Sequence, residues 1–85
     1  MNTTIVDKSG IAAKVRTIFS EKLGLEQSAL VPSASFTNDL GLDSLDVLET
    51  FMALEKEFNI KIGDEDAEKL TTVGAVVDYF AAHAH

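Results

Sequence analysis

Apolar residues recur at helical intervals along most of this 85-residue chain. From Ile11 onward they return every three or four positions as far as Leu23, and Gly24 follows as a stop signal. The pattern therefore predicts a first helix that ends near Leu23.

Residues 24–42 interrupt this periodicity. They contain the one proline of the chain, Gly41 and several Ser, Asn and Asp residues, which together are typical of a loop. We expect Phe36 and Leu40 to anchor this loop in the core. Loops of this length without regular structure are uncommon and often functional.

Three further helices are predicted after the loop. The second begins at Asp43 or Ser44, either of which can cap it, and runs to about Phe58. The acidic segment DEDAEKL, residues 64–70, predicts a short third helix, and Thr72 can cap a fourth. The apolar face of the fourth helix comprises Val73, Val76, Val77 and Phe80. Since strand alternation is nowhere sustained, we expect an all-α fold: a small four-helix bundle of three main helices and one short helix, with a long loop between the first and second.

The second helix carries two apolar stripes. With successive residues about 100° apart, one narrow seam suits a core-facing side, and it comprises Val47, Phe51, Leu54 and Phe58. A separate patch comprises Leu45, Leu48 and Met52, and Ser44 lies between the two. This patch is either part of a wide buried face or an exposed contact surface bordered by carboxylates, and the helical pattern alone does not separate the two.

Charge is distributed unequally along the chain. Residues 1–35 have a net charge of +1 and residues 36–85 a net charge of −8. Such a surface repels nucleic acid phosphates and anionic lipid headgroups and attracts basic protein patches. The sequence also has no cysteine, no apolar run near the roughly 18 residues of a membrane span, and no secretory signal pattern. We therefore expect one cytoplasmic domain over residues 1–85, with residues 1–8 as a frayed extension and with no nucleic acid binding or membrane insertion.

Ser44 lies between carboxylates and leucines in the stretch DLGLDSLDVLE. A serine nucleophile needs a base beside it, yet the two histidines, His83 and His85, come at the far end of the sequence, and no G-x-S-x-G motif is present. We therefore expect the serine to be modified by another protein, and the chain not to be an enzyme. The acidic run at 64–68 lacks the ligand order of an EF-hand. The two histidines could touch a metal, but a tail of this kind is typically disordered, so no metal site is expected.

The segments DLGLDSL, MALEKEF and EDAEKLTTV resemble those of acyl carrier proteins, and the resemblance extends over nearly all of the chain from Ile11 onward. It implies that Ser44 receives 4'-phosphopantetheine from coenzyme A and that acyl groups are carried as thioesters on the terminal thiol. It further implies a monomeric carrier of bacterial type, serving fatty acid or related lipid and polyketide synthesis. The implied partners are a phosphopantetheinyl transferase and acyl synthases, reductases, dehydratases and acyltransferases with basic docking patches. The alternative is an acidic helical interaction module without a prosthetic group.

The resemblance also implies roles for residues around the serine. The implied partner-docking face comprises Asp43, Leu45, Asp46, Leu48, Glu49, Met52 and Glu55. The implied acyl pocket comprises Phe51, Leu54, Ile62 and Leu70, with the third helix as its movable side. The sequence departs from the family at Lys56, where many members have Glu, and at Gly63, where proline is common. Thr50 and Phe51 replace residues that are often smaller or aliphatic, so the pocket is expected to differ in size.

Overall fold

The structure, a computed structural model, describes residues 8–83. Within this range the helices are α1 (Lys8–Leu23), α2 (Ser44–Phe58), α3 (Asp64–Lys69) and α4 (Val73–His83), with a 3₁₀ turn at Gln27–Ala29. The described residues form no strand, only an isolated antiparallel bridge that pairs Ser35 with Thr72. The predicted all-α fold of three main helices and one short helix is confirmed.

The helix α1 begins at Lys8, three residues before the predicted start at Ile11. Periodicity marks only the part of a helix that packs on the core, so the polar first turn gave no apolar signal. The helix ends at Leu23, as predicted. Gly24 adopts φ +69° there, and its N–H donates to the carbonyl of Ser20 at 2.8 Å, which is the usual glycine termination of a helix. Apart from Lys8, the predicted frayed extension lies outside the described residues.

The core is built from the three longer helices and the loop. The main helix packing joins α1 with α4 and α1 with α2. Buried side chains from these helices are Ile11, Val15, Phe19, Phe51, Leu54, Val73, Val76, Val77 and Phe80. The predicted apolar face of α4 is thus confirmed. Of the predicted seam on α2, Phe51 and Leu54 are buried, while Val47 and Phe58 pack against the core as partly buried residues.

The loop between α1 and α2 is anchored by Phe36. This side chain is buried, stacks on Phe19 with ring centroids 5.0 Å apart, and meets Phe51 edge-on at 6.0 Å. Leu40 packs against the core as a partly buried residue. Both predicted anchors are confirmed.

Backbone hydrogen bonds tie the same loop to the start of α4. The N–H of Phe36 donates to the Thr71 carbonyl at 3.0 Å, and the N–H of Gly74 donates to the Pro32 carbonyl at 2.8 Å. Further along, the N–H of Leu42 donates to the carbonyl of Phe36 at 2.9 Å. These bonds give the loop one defined path, so the residues that begin α2 are held in a fixed position. None of the helices within residues 8–83 is long and apolar enough to cross a membrane.

Candidate functional site

Ser44 is the first residue of α2, and the residue before it caps the helix. Asp43 has extended backbone angles (φ −92°, ψ 173°), and its Oδ1 accepts the N–H of Asp46 at 2.9 Å. Because Asp43 performs the capping, the hydroxyl of Ser44 is not needed for it. Ser44 is exposed, and no residue within 8–83 forms a hydrogen bond with its hydroxyl.

No base is bonded to this serine among the described residues. His83 lies at the end of α4, where its Nδ1 is 2.8 Å from the carbonyl oxygen of Tyr79. His85 lies outside the described residues. The same range holds no group of three or more His, Asp or Glu side chains arranged to bind a metal ion.

A cleft of about 260 Å³ opens beside Ser44, between α2, α3 and the anchored loop. Its lining residues are Phe36, Thr37, Ser44, Val47, Leu48, Phe51, Ala67, Glu68, Leu70 and Thr71. Phe51 and Leu70, predicted for the acyl pocket, are among them. Leu54 and Ile62, also predicted for it, do not line the cleft. Both side chains are buried in other parts of the core.

Several residues of the cleft were not identified from the sequence. Thr37 and Thr71 come from irregular segments, which carry no periodic signal. Ala67 did offer a signal, since it is the one apolar residue of the helix DEDAEK and is partly buried against the core. A single apolar position in an acidic helix indicates the side that faces the protein.

The second apolar patch on α2 is exposed. Leu45 is 61%, Leu48 51% and Met52 50% accessible to solvent. The patch is therefore a surface and not part of a wide buried face. Leu48 also lines the cleft, so the exposed patch and the cleft adjoin each other at this residue.

The carboxylates of the predicted docking face differ in their surroundings. Glu49 is exposed and Asp46 is half-buried beside the patch, while Asp43 is exposed and caps the helix. Glu55 is half-buried, and its Oε2 accepts the N–H of Ile62 at 2.7 Å. Its carboxylate is thus engaged in holding the loop that precedes α3.

The residues that depart from the family pattern occupy three different environments. Lys56 is exposed and, with Glu49 and Met52, lines a groove between α1 and α2. Gly63 precedes α3 with φ −68°, an angle open to any residue. Thr50 is only 1% exposed, and its hydroxyl donates to the carbonyl of Asp46 at 2.9 Å, so this polar side chain is satisfied within its own helix.

Comparison with known proteins agrees with this geometry. The family described as "Phosphopantetheine attachment site" matches residues 13–80, so the chain belongs to this family of phosphopantetheine-bearing carriers. It is similar to the acyl carrier protein from Enterococcus faecalis, a structure studied for its high thermal stability, at 37% identity and a TM-score of 0.78, covering 93% of this chain and 100% of that one. The function of the present chain is to carry acyl groups, and its prosthetic group is 4'-phosphopantetheine. These matches do not favour an acidic interaction module without a prosthetic group.

Proposed function

We propose that Ser44 is the attachment residue and that the chain delivers acyl intermediates to enzymes of fatty acid synthesis or of related lipid and polyketide synthesis. The observation that supports this assignment is an exposed, unbonded hydroxyl at the start of a helix and at the edge of an apolar cleft. When bound, 4'-phosphopantetheine supplies a flexible arm ending in a thiol, on which acyl groups are carried as thioesters.

The surroundings of Ser44 suit a phosphodiester. First-turn N–H groups of a helix lack partners within the helix, and the positive end of the helix dipole favours a nearby anion. The side chain of Asp43 occupies only the N–H of Asp46. The carboxylates of these two residues repel a phosphate, so the helix terminus contributes little net stabilisation, and the main requirement is access to the Ser44 hydroxyl.

The exposed patch and its carboxylates form the docking face for partner enzymes. Leu45, Leu48 and Met52 supply apolar contact, while Asp46 and Glu49 attract the basic patches of a phosphopantetheinyl transferase and of acyl synthases, reductases, dehydratases and acyltransferases. Each exposed ion pair contributes about 0.2–1 kcal/mol. Binding of this strength lets one carrier dissociate quickly from each enzyme it serves.

The cleft provides a place for the carried chain. Leaving a methylene in water costs about 0.8 kcal/mol, so an acyl chain of several carbons gains free energy when it enters an apolar space. The cleft begins at Ser44 itself, and its inner wall includes Phe36, Phe51 and Leu70. A chain tethered at Ser44 can therefore be sheltered without leaving the protein.

The assignment of Ser44 is tested by loading the protein in vitro. On incubation with coenzyme A and a broad-specificity phosphopantetheinyl transferase, the wild-type protein is expected to gain one phosphopantetheinyl mass, and Ser44→Ala to gain none. Ser33→Ala is the control, because Ser33 is also an exposed serine but lies in the loop. Intact-protein mass spectrometry measures the result. A wild-type protein that stays unmodified where another carrier loads would contradict the assignment.

A further inference from the structure

The short helix α3 forms one wall of the cleft but contains no buried residue. It packs on the core through the partly buried Ala67 and through Leu70 just after its end. These two residues also line the cleft beside Ser44. The width of the cleft therefore depends on whatever holds α3 against the rest of the bundle.

Tyr79 of α4 reaches α3 with its hydroxyl. The Oη lies 3.3 Å from Oδ2 of Asp66, which is in α3, and 3.2 Å from the carbonyl oxygen of Lys61, in the loop before α3. The ring is fixed by stacking on His83 at 4.2 Å and by an edge contact with Phe80 at 5.7 Å. The hydroxyl of Tyr79, on α4, is thus hydrogen-bonded both to α3 and to the loop before it.

The hydroxyl is suited to act as a donor at this position. Partial burial, together with the charge of Asp66 and the hydrogen bond to it, raises the pKa of Tyr79 above its usual value, against a smaller opposing effect of the Gly63 N–H. A tyrosine phenol is protonated at physiological pH even at its usual pKa, and the upward shift of the pKa acts in the same direction. The single proton of the hydroxyl is shared between two acceptors, so it can keep one bond while the other opens.

We propose that the hydrogen bonds of the Tyr79 hydroxyl hold α3 in place and thereby limit the length of the acyl chain that the cleft accepts. This inference rests on the proposed carriage of acyl chains at Ser44. A chain too long for the existing cleft must displace α3, because the opposite wall carries Phe51, whose helix is packed in the core. Tyr79 does not line the cleft, so it is a positioning residue that acts through Asp66.

Three variants separate the effect of the Tyr79–Asp66 hydrogen bond from general effects on the fold. Tyr79→Phe removes only the hydroxyl oxygen and keeps the ring contacts. Asp66→Ala removes the acceptor in α3. Asp64→Ala is the matched control, because it removes the same charge from the same helical turn, and Asp64 forms no hydrogen bond through its side chain with another residue in 8–83.

The first measurement is amide hydrogen exchange of the unacylated proteins, which does not depend on loading. In Tyr79→Phe and Asp66→Ala, the amides of Ala67 and Leu70 are expected to exchange about 2- to 10-fold faster than in wild type, the ratio set by losing one typical hydrogen bond. The amide of Leu54 in α2 and the Asp64→Ala control are expected to show much smaller changes. If the amide of Leu54 exchanged faster by the same factor, or if the amides of Ala67 and Leu70 exchanged no faster than in wild type, the proposed role of Tyr79 would be wrong.

The second measurement is the melting temperature of each protein across a series of attached acyl chains. The melting temperature of the wild-type protein is expected to rise with acyl chain length up to a limit, defined as the longest chain that still raises it. In Tyr79→Phe and Asp66→Ala that limit should rise by about one or two carbons, since one hydrogen bond and one buried methylene have similar net strength. A wild-type protein that loads but shares its limit with both variants would refute this inference alone. A wild-type protein that cannot be loaded at Ser44 would refute the proposed function, and with it the acyl part of the inference.

Discussion

Asp43 and Ser44 lie side by side at the start of α2, and only Asp43 caps the helix. Both side chains can cap a helix, but the carboxylate of Asp43 takes the N–H of Asp46, which leaves the Ser44 hydroxyl exposed and unbonded within the described residues. A serine that served as the cap would have its oxygen turned to the backbone. The residue before the serine therefore determines whether the hydroxyl is accessible.

Phe51 is the residue expected to set the depth of the cleft. It is 3% exposed and lines the cleft seven residues, about two helical turns, beyond Ser44. In Phe51→Val the longest acyl chain that still raises the melting temperature is expected to be longer than in wild type. Melting curves across an acyl series measure this limit.

The comparison for Phe51→Val must allow for its direct effect on stability. Large-to-small substitutions in a core often cost about 2 kcal/mol or more, so each variant is compared with its own unacylated form. Phe58→Val is the control, because Phe58 belongs to the same helix and does not line the cleft. If both variants keep the wild-type limit, Phe51 is ordinary core packing that does not meet the chain.

At the scale of elements, the position of α2 depends on how the preceding loop is joined to α4. The carbonyl of Pro32 accepts a hydrogen bond from the N–H of Gly74 in the first turn of α4. The N–H of Phe36 donates to the carbonyl of Thr71, just before that helix. This loop carries the chain from the end of α1 to Ser44. Its contacts with α4 are close at Gly74, where an added Cβ would lie 2.9 Å from the carbonyl oxygen of Pro32.

Gly74→Ala is therefore expected to destabilise the protein, although alanine is ordinarily favoured over glycine in a helix by about 1 kcal/mol. The clash is with backbone, which cannot move aside as a flexible side chain would, so we expect a loss of about 1–3 kcal/mol in the free energy of unfolding. Urea unfolding measures the change.

The control for Gly74→Ala is the same substitution at Gly63. An added Cβ there would meet only Oδ2 of Asp66 at 3.9 Å, and the backbone angle is ordinary. Gly63→Ala should therefore change stability by less than about 1 kcal/mol, because the stabilisation through the unfolded state is opposed by the poorer capping of α3 by alanine. Stabilisation by both substitutions would show that the loop yields at Gly74 and is not fixed by that contact.

At the scale of the whole molecule, charge is expected to direct how the carrier meets its proposed partners. The net charge of −7 is due entirely to residues 36–85, which have a net charge of −8 and include the exposed patch of Leu45, Leu48 and Met52. In the proposed docking, long-range attraction would bring a basic surface toward this half of the chain, and the apolar patch would supply contact once that surface arrives. Lys56 adds a positive charge to the edge of the patch, which favours partners that present an acidic group there.

Glu49→Lys is expected to slow loading of Ser44 by about two- to tenfold at low salt, chiefly through slower association. The wild-type rate should fall as salt rises, because salt screens exposed charges. Folding should be little affected, since Glu49 is exposed. Initial loading rates across a salt series measure both effects.

Glu26→Lys makes the same change in net charge at an exposed position in the loop after α1 and serves as the control. Equal slowing in both variants would attribute the effect to net charge alone. Wild-type rates in Glu49→Lys at low salt would mean that the carboxylates form only a solvated surface.

Features determined by neighbouring residues could be read from the sequence by itself. The end of α1, both ends of α2 and the start of α4 depend on capping and periodicity, which act within a few residues, and the candidate Ser44 depends on a local motif. Only tertiary structure decided that Leu45 and its neighbours are exposed, that Leu54 and Ile62 do not line the cleft, and that Ala67 does. The contact of Tyr79 with Asp66, 13 residues apart, is of the same kind. The physical reason is that a helical pattern specifies which side chains share a face, whereas the helices that pack against that face specify which of them are covered.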